Sequence, residues 1–176
     1  MMKAVIDTNV LLVANQQHKD ISPACTAECV RNLMSIQQCG VTVIDDGYRI
    51  LREYQNKTHP NQPKGPGDVF LKWLLRNTSN PRHVEQVPIT EIAKNEFLEF
   101  PDLALQPGFD APDRKFVAVA NAHPDKPPVW QAADCKWVDW WPALKAKGVL
   151  VEFLCPLDAS NFYKKKFPAK PLPIFP

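Results

Sequence analysis

Short runs of β-branched and aliphatic residues alternate with segments of helical spacing along the whole chain, and most of these runs end in an acid. Lys3-Ala4-Val5-Ile6 stops at Asp7-Thr8-Asn9 and reads as a buried strand whose C-terminal end carries polar groups. Ser22-Pro23 places an N-cap before a proline at the first helical position, and Gly40 is the matching stop. Between them Ala24, Ala27, Val30, Leu33 and Met34 fall at helical spacing. Val41 to Ile44 predicts a second strand, after which Asp45 or Asp46 opens a helix carrying Ile50, Leu51 and Tyr54 on one face. Proline and glycine mark 59–68 as loop. A helix over 69–75, a short strand over 83–87, a helix from a Thr90 cap to about Phe100 and a loop over 101–112 follow. The segment 113–122 is apolar almost all round and predicts a buried helix. Pro128 to Ala133 predicts a strand ending at Asp134, 140–147 a helix stopped by Gly148, and 149–154 a last strand. This alternation predicts an α/β domain with a mostly parallel sheet.

A chain of 176 residues suits one domain, here 1–162, with a basic, proline-rich tail over 163–176 outside the core. No apolar run approaches the roughly 20 residues that span a bilayer, so no membrane partner is expected. Lys and Arg (21) nearly balance Asp and Glu (19), so a nucleic-acid partner would need a local basic patch rather than an overall field. The chain reaches Asp7 too soon for a secretory signal, and its five irregularly spaced cysteines read as reduced thiols of a cytoplasmic protein. Cys25 and Cys29 lie one helical turn apart, but no two further ligands at zinc spacing accompany them, and they read as small buried apolar residues. Trp130, Trp137, Trp140 and Trp141 read either as a platform for stacking bases or as core or interface.

In a parallel sheet, functional groups gather at the C-terminal ends of strands. Asp7 follows the first strand, Asp45 and Asp46 the second with Glu53 two turns on, Asp134 follows the Val129 strand, and Asp110 and Asp113 start the helix before it. Carboxylates crowded together repel, and a divalent cation with hard oxygen ligands, Mg²⁺ or Mn²⁺, relieves this. Such a cation, with water left on it, can hydrolyse a phosphodiester. Each acid also has a local reading. Asp7 can bond nearby amides at a turn, Glu53 can pair with Lys57, and Asp110 can be an N-cap with Asp113, three residues on, facing the exposed amides of the first turn. Asp139 can cap the helix that begins at Trp140, while Asp45 and Asp46 suit cap and turn.

These residues resemble a known family. Lys3-Ala4-Val5-Ile6-Asp7-Thr8-Asn9-Val10-Leu11-Leu12 resembles the opening of PIN-domain nucleases. Asp45 to Tyr54 resembles the second motif, a helix whose Glu is a metal ligand, and Asp110 to Ala120 resembles the third, an acid opening a buried helix. Asp134 stands where the fourth acid belongs, although Ala132 and Ala133 replace the Thr or Ser common before it, which leaves Asp134 or Asp139 to complete the set. The resemblance covers Lys3 to about Pro156. It implies a three-layer α/β/α sandwich and Mg²⁺- or Mn²⁺-dependent cleavage of single-stranded RNA, as a toxin of a toxin–antitoxin pair, a processing enzyme or a defence effector. It implies that Asp7, Glu53, Asp113 and Asp134 hold metal, that Thr8 and Asn9 keep Asp7 in place, and that Arg114 and Lys115 contact phosphate. An antitoxin or other protein partner and a homodimer are also implied. A binding module that has lost catalysis is the alternative. A phosphatase of the haloacid-dehalogenase type would need a second acid where this chain has Asn9.

Overall fold

The structure, a computed structural model, describes residues 2–172 and 174–176. The strands are β1 (Met2–Ile6), β2 (Gly40–Asp45), β3 (Val84–Val87), β4 (Glu91–Ala93), β5 (Glu96–Phe97), β6 (Val129–Gln131) and β7 (Val151–Phe153). The helices are α1 (Thr8–Ala14), α2 (Pro23–Cys39), α3 (Arg49–Lys57), α4 (Pro66–Asn77), α5 (Arg114–Ala122), α6 (Lys136–Ala146) and α7 (Pro156–Lys166). Five strands form one sheet in the order β3-β2-β1-β6-β7, every neighbouring pair parallel. With helices on both faces this is the expected three-layer α/β/α sandwich. Ala4, Val5 and Ile6 of the central strand are fully buried, and β2 is buried along its whole length. A parallel sheet covered on both sides calls for such continuous apolar runs, which is why the sequence marks them without alternation.

Local signals account for most boundaries. Ser22 Oγ accepts from Cys25 N at 3.1 Å and Pro23 opens α2, which ends at Gly40. On its apolar face Leu33 and Ile36 are buried, whereas Met34 is 52% exposed and lies outside the stripe predicted for it. Gly148, at φ +82°, ends α6 in the left-handed conformation that glycine adopts without penalty. The helix expected from Val69 begins at Pro66, inside the predicted loop. Gly67 lets this helix approach α1: a Cβ there would lie 2.3 Å from Leu11 O, a backbone atom that cannot swing away. Gly67→Ala is therefore expected to cost roughly 1–3 kcal/mol, the range for overpacking, read as a lowered denaturation midpoint. A midpoint equal to that of the parent chain would show that the α1–α4 approach is not tight.

Three expectations need correction. The Thr90–Phe100 segment is a hairpin, β4 pairing with β5, not a helix. Its turn falls at Lys94-Asn95, with Asn95 at φ +56°, a conformation that asparagine tolerates and that a helix excludes. The tail expected outside the core is partly built into the body. Helix α7 runs through position 162 to Lys166, and Tyr163 is buried with Cys135, Val138 and Ala159. Further on, Lys170 pairs with Asp139 at 3.0 Å, Trp141 Nε1 donates to Ile174 O at 3.0 Å, and Phe175 meets Phe153 edge-on at 5.1 Å. Charge and proline content hid these contacts because they are made by a few aromatic residues spaced between lysines. Finally, Cys25 and Cys155 form a disulfide across 130 residues, so three thiols remain free rather than five. Among the described residues no helix is long and apolar enough to cross a membrane.

Candidate metal centre

The strand order reverses direction between β1 and β6. The chain builds outward from β1 to β2 and β3, then returns to place β6 and β7 on the other side. Open α/β sheets hold their ligands in the crevice at such a switch point, beyond the carboxyl ends of the strands. Asp7 follows β1 there and Asp134 follows β6. Asp7 N donates to Trp130 O at 2.9 Å, and Asn9 Oδ1 accepts from Ala133 N at 3.1 Å, so the two strand ends are joined across the crevice.

Asp7 is 5% exposed. Its Oδ1 accepts from Asn9 N at 2.7 Å and caps α1, a helix that the sequence reading did not name. The local reading of Asp7 is thus realised together with its placement at the switch point. Glu53 reaches the crevice from α3. It does not pair with Lys57; Oε1 accepts from Thr8 Oγ1 at 2.6 Å, and Oε2 accepts from Lys115 Nζ. Thr8 therefore holds Glu53 and not Asp7, while Asn9 holds both Asp7 and the Ala133 backbone. Tyr54, the next residue on α3, is buried and donates to Ile6 O, which fixes this helix against the end of β1. Asp113 precedes α5 and makes no side-chain cap bond, so its carboxylate is not engaged in capping. Asp134 Oδ1 accepts from Lys136 N at 3.0 Å, and Oδ2 lies 3.8 Å from Lys136 Nζ.

The charges of the four acids act on one another, although among the described residues no three of these carboxylates bring an oxygen within 4.8 Å of one another. Burial raises Asp7 well above the usual carboxylate range, and the charges of Asp113, Asp134 and Glu53 add to the rise. Burial also pushes Asp113 up to about 7, with Asp134 the next contributor; Asp110 and Glu53 raise it further while Lys136 opposes them. Five carboxylates thus act on one another with two lysines, Lys115 and Lys136, among them. Such a donor set, all oxygen, with Asp7 buried, Glu53, Asp113 and Asp134 half-buried and Asp110 exposed, is of the chemistry that suits a hard divalent cation.

The remaining candidates separate cleanly. Asp139 lies away from the crevice, accepting from Tyr163 Oη at 2.6 Å and pairing with Lys170, so it does not stand in for Asp134. Asp45 is fully buried and accepts from Arg49 N at 2.8 Å and Ile50 N at 2.9 Å, which makes it the anchor of α3. Arg114 was expected on phosphate, but its guanidinium donates to Phe109 O at 3.0 Å and faces Pro107 O and Asn95 O, holding the loop before α5. Lys115 is buried over the Phe116 ring and bonded to Glu53 and Pro112 O, so it stands inside the site rather than open to a phosphate. Trp130 and Trp137 are core residues, and Trp140 stacks between Trp137 and Phe109.

Beside Glu53 opens a cleft of about 480 Å³, which Asp7, Asp113 and Asp134 do not line. Arg49, Arg52 and Lys57 line it with Lys115, and Asn95 and Phe97 of the β4–β5 hairpin form one wall. The sequence reading missed Arg49, Arg52 and Lys57. The signal was present, since positions 49, 52 and 57 share the solvent face of the helix that carries Glu53. The segment between Glu53 and Asp113 supplies this wall and also a loop wound round Asp68, whose carboxylate accepts from His59 N and Lys64 N at 2.9 Å each. Comparison with family models, curated proteins and solved structures found no match to the chain.

Proposed function

We propose that this chain is a PIN-like, metal-dependent endoribonuclease that hydrolyses phosphodiester bonds of single-stranded RNA. The single observation that supports the reading most is the placement of Asp7 and Asp134 at the switch point of the sheet, where the charges of Asp113, Asp134 and Glu53 all act on the buried Asp7. These four carboxylates would hold Mg²⁺ or Mn²⁺. When bound, the cation would supply charge neutralisation at the phosphate and a water of lowered pKa. The protein's own residues do the rest. Asn9 keeps Asp7 and the β6 end in register, Thr8 orients Glu53, and Lys57 on the cleft wall offers a cation to a phosphate backbone lying there, whereas Arg49 is held by Glu91 and Asp45 and Arg52 donates to Gly47 O at 3.0 Å. The order of motifs along the chain favours the same class. An antitoxin, another protein partner or a second copy of the chain remains part of this proposal through the resemblance alone, as does a cytoplasmic setting.

A second reading draws on the lysines. Lys115 on Glu53, and Lys136 on Asp110 and Asp134, already neutralise part of the acid cluster. Together with the alanines at 132 and 133, this suits a domain that binds RNA or protein without cutting it. A cleavage assay on RNA and single-stranded DNA with Mn²⁺, Mg²⁺ or EDTA separates the two. Cutting that needs the metal and favours RNA supports the nuclease, whereas a folded chain that cuts nothing with either metal supports the binding module. Asn9→Ala is expected to lower stability by about 1 kcal/mol, the loss of one hydrogen bond. It is also expected to weaken Mn²⁺ binding by up to roughly tenfold, because the lost side chain holds the Ala133 backbone next to Asp134, while the Asn9 N bond to Asp7 is a backbone one and stays. Unchanged Mn²⁺ affinity would remove Asn9 from the site.

A further inference from the structure

Three sulfurs meet where α2 passes the junction of β7 and α7. Cys25 and Cys29 lie one turn apart on the buried face of α2, and Cys155 stands at the start of α7. Their Sγ atoms all fall within 4.8 Å of one another. Cys25 and Cys155 are joined as a disulfide, and Cys29 Sγ lies 3.9 Å from Cys155 Sγ. A crosslink between α2 and the end of β7 needs two cysteines. The third, Cys29, is fully buried and takes no part in the bond.

A hollow of about 250 Å³ opens over Cys25 and Cys155, giving access from solvent. Glu28 and Asp158 are the acids on its rim. Asp158 is committed, since Ser22 N donates to one of its oxygens at 2.7 Å and Ser22 Oγ to the other at 2.8 Å. Glu28 is committed as well, one oxygen paired with Arg31 and the other accepting from Asn32 Nδ2 at 2.8 Å, so the donor set left at the centre is three sulfurs.

We propose that the reduced protein holds one soft, three-coordinate metal ion of the Cu(I) class on Cys25, Cys29 and Cys155, and that oxidation to the Cys25–Cys155 disulfide closes this site. With metal–sulfur bonds of about 2.3 Å, three sulfurs arranged round one ion lie roughly 4 Å apart. Cys29 and Cys155 already stand at that separation, so Cys25 is the ligand that has to move once its bond is broken. Thiolates select soft ions such as Cu(I), and zinc would call for a fourth ligand that Asp158, tied to Ser22, does not offer. Opening requires two electrons and two protons from a dithiol reductant, which becomes a disulfide as the Cys25–Cys155 bond becomes two thiols. Binding then exchanges the thiol protons for the ion. Closing returns the two electrons to a disulfide-form oxidant and releases the ion. This inference does not depend on the nuclease reading.

The test uses the full chain carrying Cys39→Ser and Cys135→Ser, which removes the two other thiols. The chain is reduced anaerobically, freed of reductant and titrated with Cu(I) held by a chromophoric chelator of known affinity. The expected result is one Cu(I) per chain in the reduced form, none in the oxidised form, and at least tenfold weaker binding after Cys29→Ser or Cys29→Ala. A non-reducing peptide map of the oxidised Cys29 variants is expected to keep the Cys25–Cys155 link, which shows that they fold. The oxidised parent chain, in which Cys29 is intact, serves as a second comparison. Failure of the reduced parent chain to take Cu(I), or Cys29 variants that bind as tightly as it does, would overturn the proposal.

Discussion

Asp113→Asn is expected to abolish metal-dependent RNA cleavage and, in the same molecule, to make the metal-free protein more stable. Asp113 is mostly buried, caps no helix, and feels Asp134, Asp110 and Glu53 at once. Its charge is a liability to the fold unless a cation answers it. An amide of nearly the same shape removes the repulsion, so at pH 8 in EDTA the variant is expected to gain about 1–4 kcal/mol, a tenfold change in proton affinity being worth about 1.4 kcal/mol. The same change deletes a ligand oxygen that would carry full charge. Loss of a group that only orients a ligand already costs roughly 10–100-fold, and the loss here is expected to be larger, more than a hundredfold in cleavage rate. The two readouts in opposite directions distinguish a functional acid from a structural one. An Asp113→Asn chain that is less stable and still cuts RNA would place Asp113 in the scaffold. Asp7→Asn is expected to lose cleavage likewise, though its Oδ1 also caps α1.

The second large effect is a reversal of the ordinary pH dependence of stability. A carboxylate paired with a cation becomes less stabilising as pH falls. Asp113 behaves in the opposite sense because its folded pKa, about 7, lies above its unfolded one. Between these two values the folded chain binds more protons than the unfolded chain, so stability falls as pH rises. From pH 4 to pH 8 in EDTA this group alone is expected to remove on the order of 4 kcal/mol, and Asp7, raised for the same reasons, acts in the same direction. Asp68, Glu85 and Asp139, whose hydrogen bonds and cationic neighbours outweigh burial and hold them below the usual range, act oppositely, and chiefly at the acid end. Denaturation of the parent chain and of Asp113→Asn at pH 5 and pH 8 isolates the contribution of this carboxyl. The parent is expected to lose stability across this interval and the variant to lose much less. Equal slopes would mean that the acids at the switch point do not share a desolvated site.

The parts of the fold that follow from local chemistry were legible in the sequence. The apolar runs of β1 and β2, the Ser22-Pro23 cap, the Gly40 and Gly148 stops and the all-round apolar α5 each carry their own signal, and together they fix a parallel α/β sandwich. The acids were legible for a related reason. Asp7, Asp134 and Asp113 lie where strands end or a helix begins, and topology brings such positions to one edge. What escaped is what depends on long-range pairing. Glu91–Phe97 has helix-forming residues, and only its partnership with the body makes it a hairpin. Arg114 has the charge that a phosphate needs, but three loop carbonyls claim it first. The disulfide joins positions 130 residues apart, and no spacing rule connects Cys25 with Cys155.

The most direct test of the central claim is calorimetric titration of the metal-free chain with Mn²⁺ at pH 6.5, in two buffers of different ionisation enthalpy. If Asp7, Glu53, Asp113 and Asp134 form a cation site, Mn²⁺ binds, the buffer dependence reports release of protons from the acids that burial keeps partly protonated, and both signals disappear in Asp113→Asn. A folded chain that takes up no Mn²⁺, or that binds it equally well with asparagine at position 113, would contradict the account.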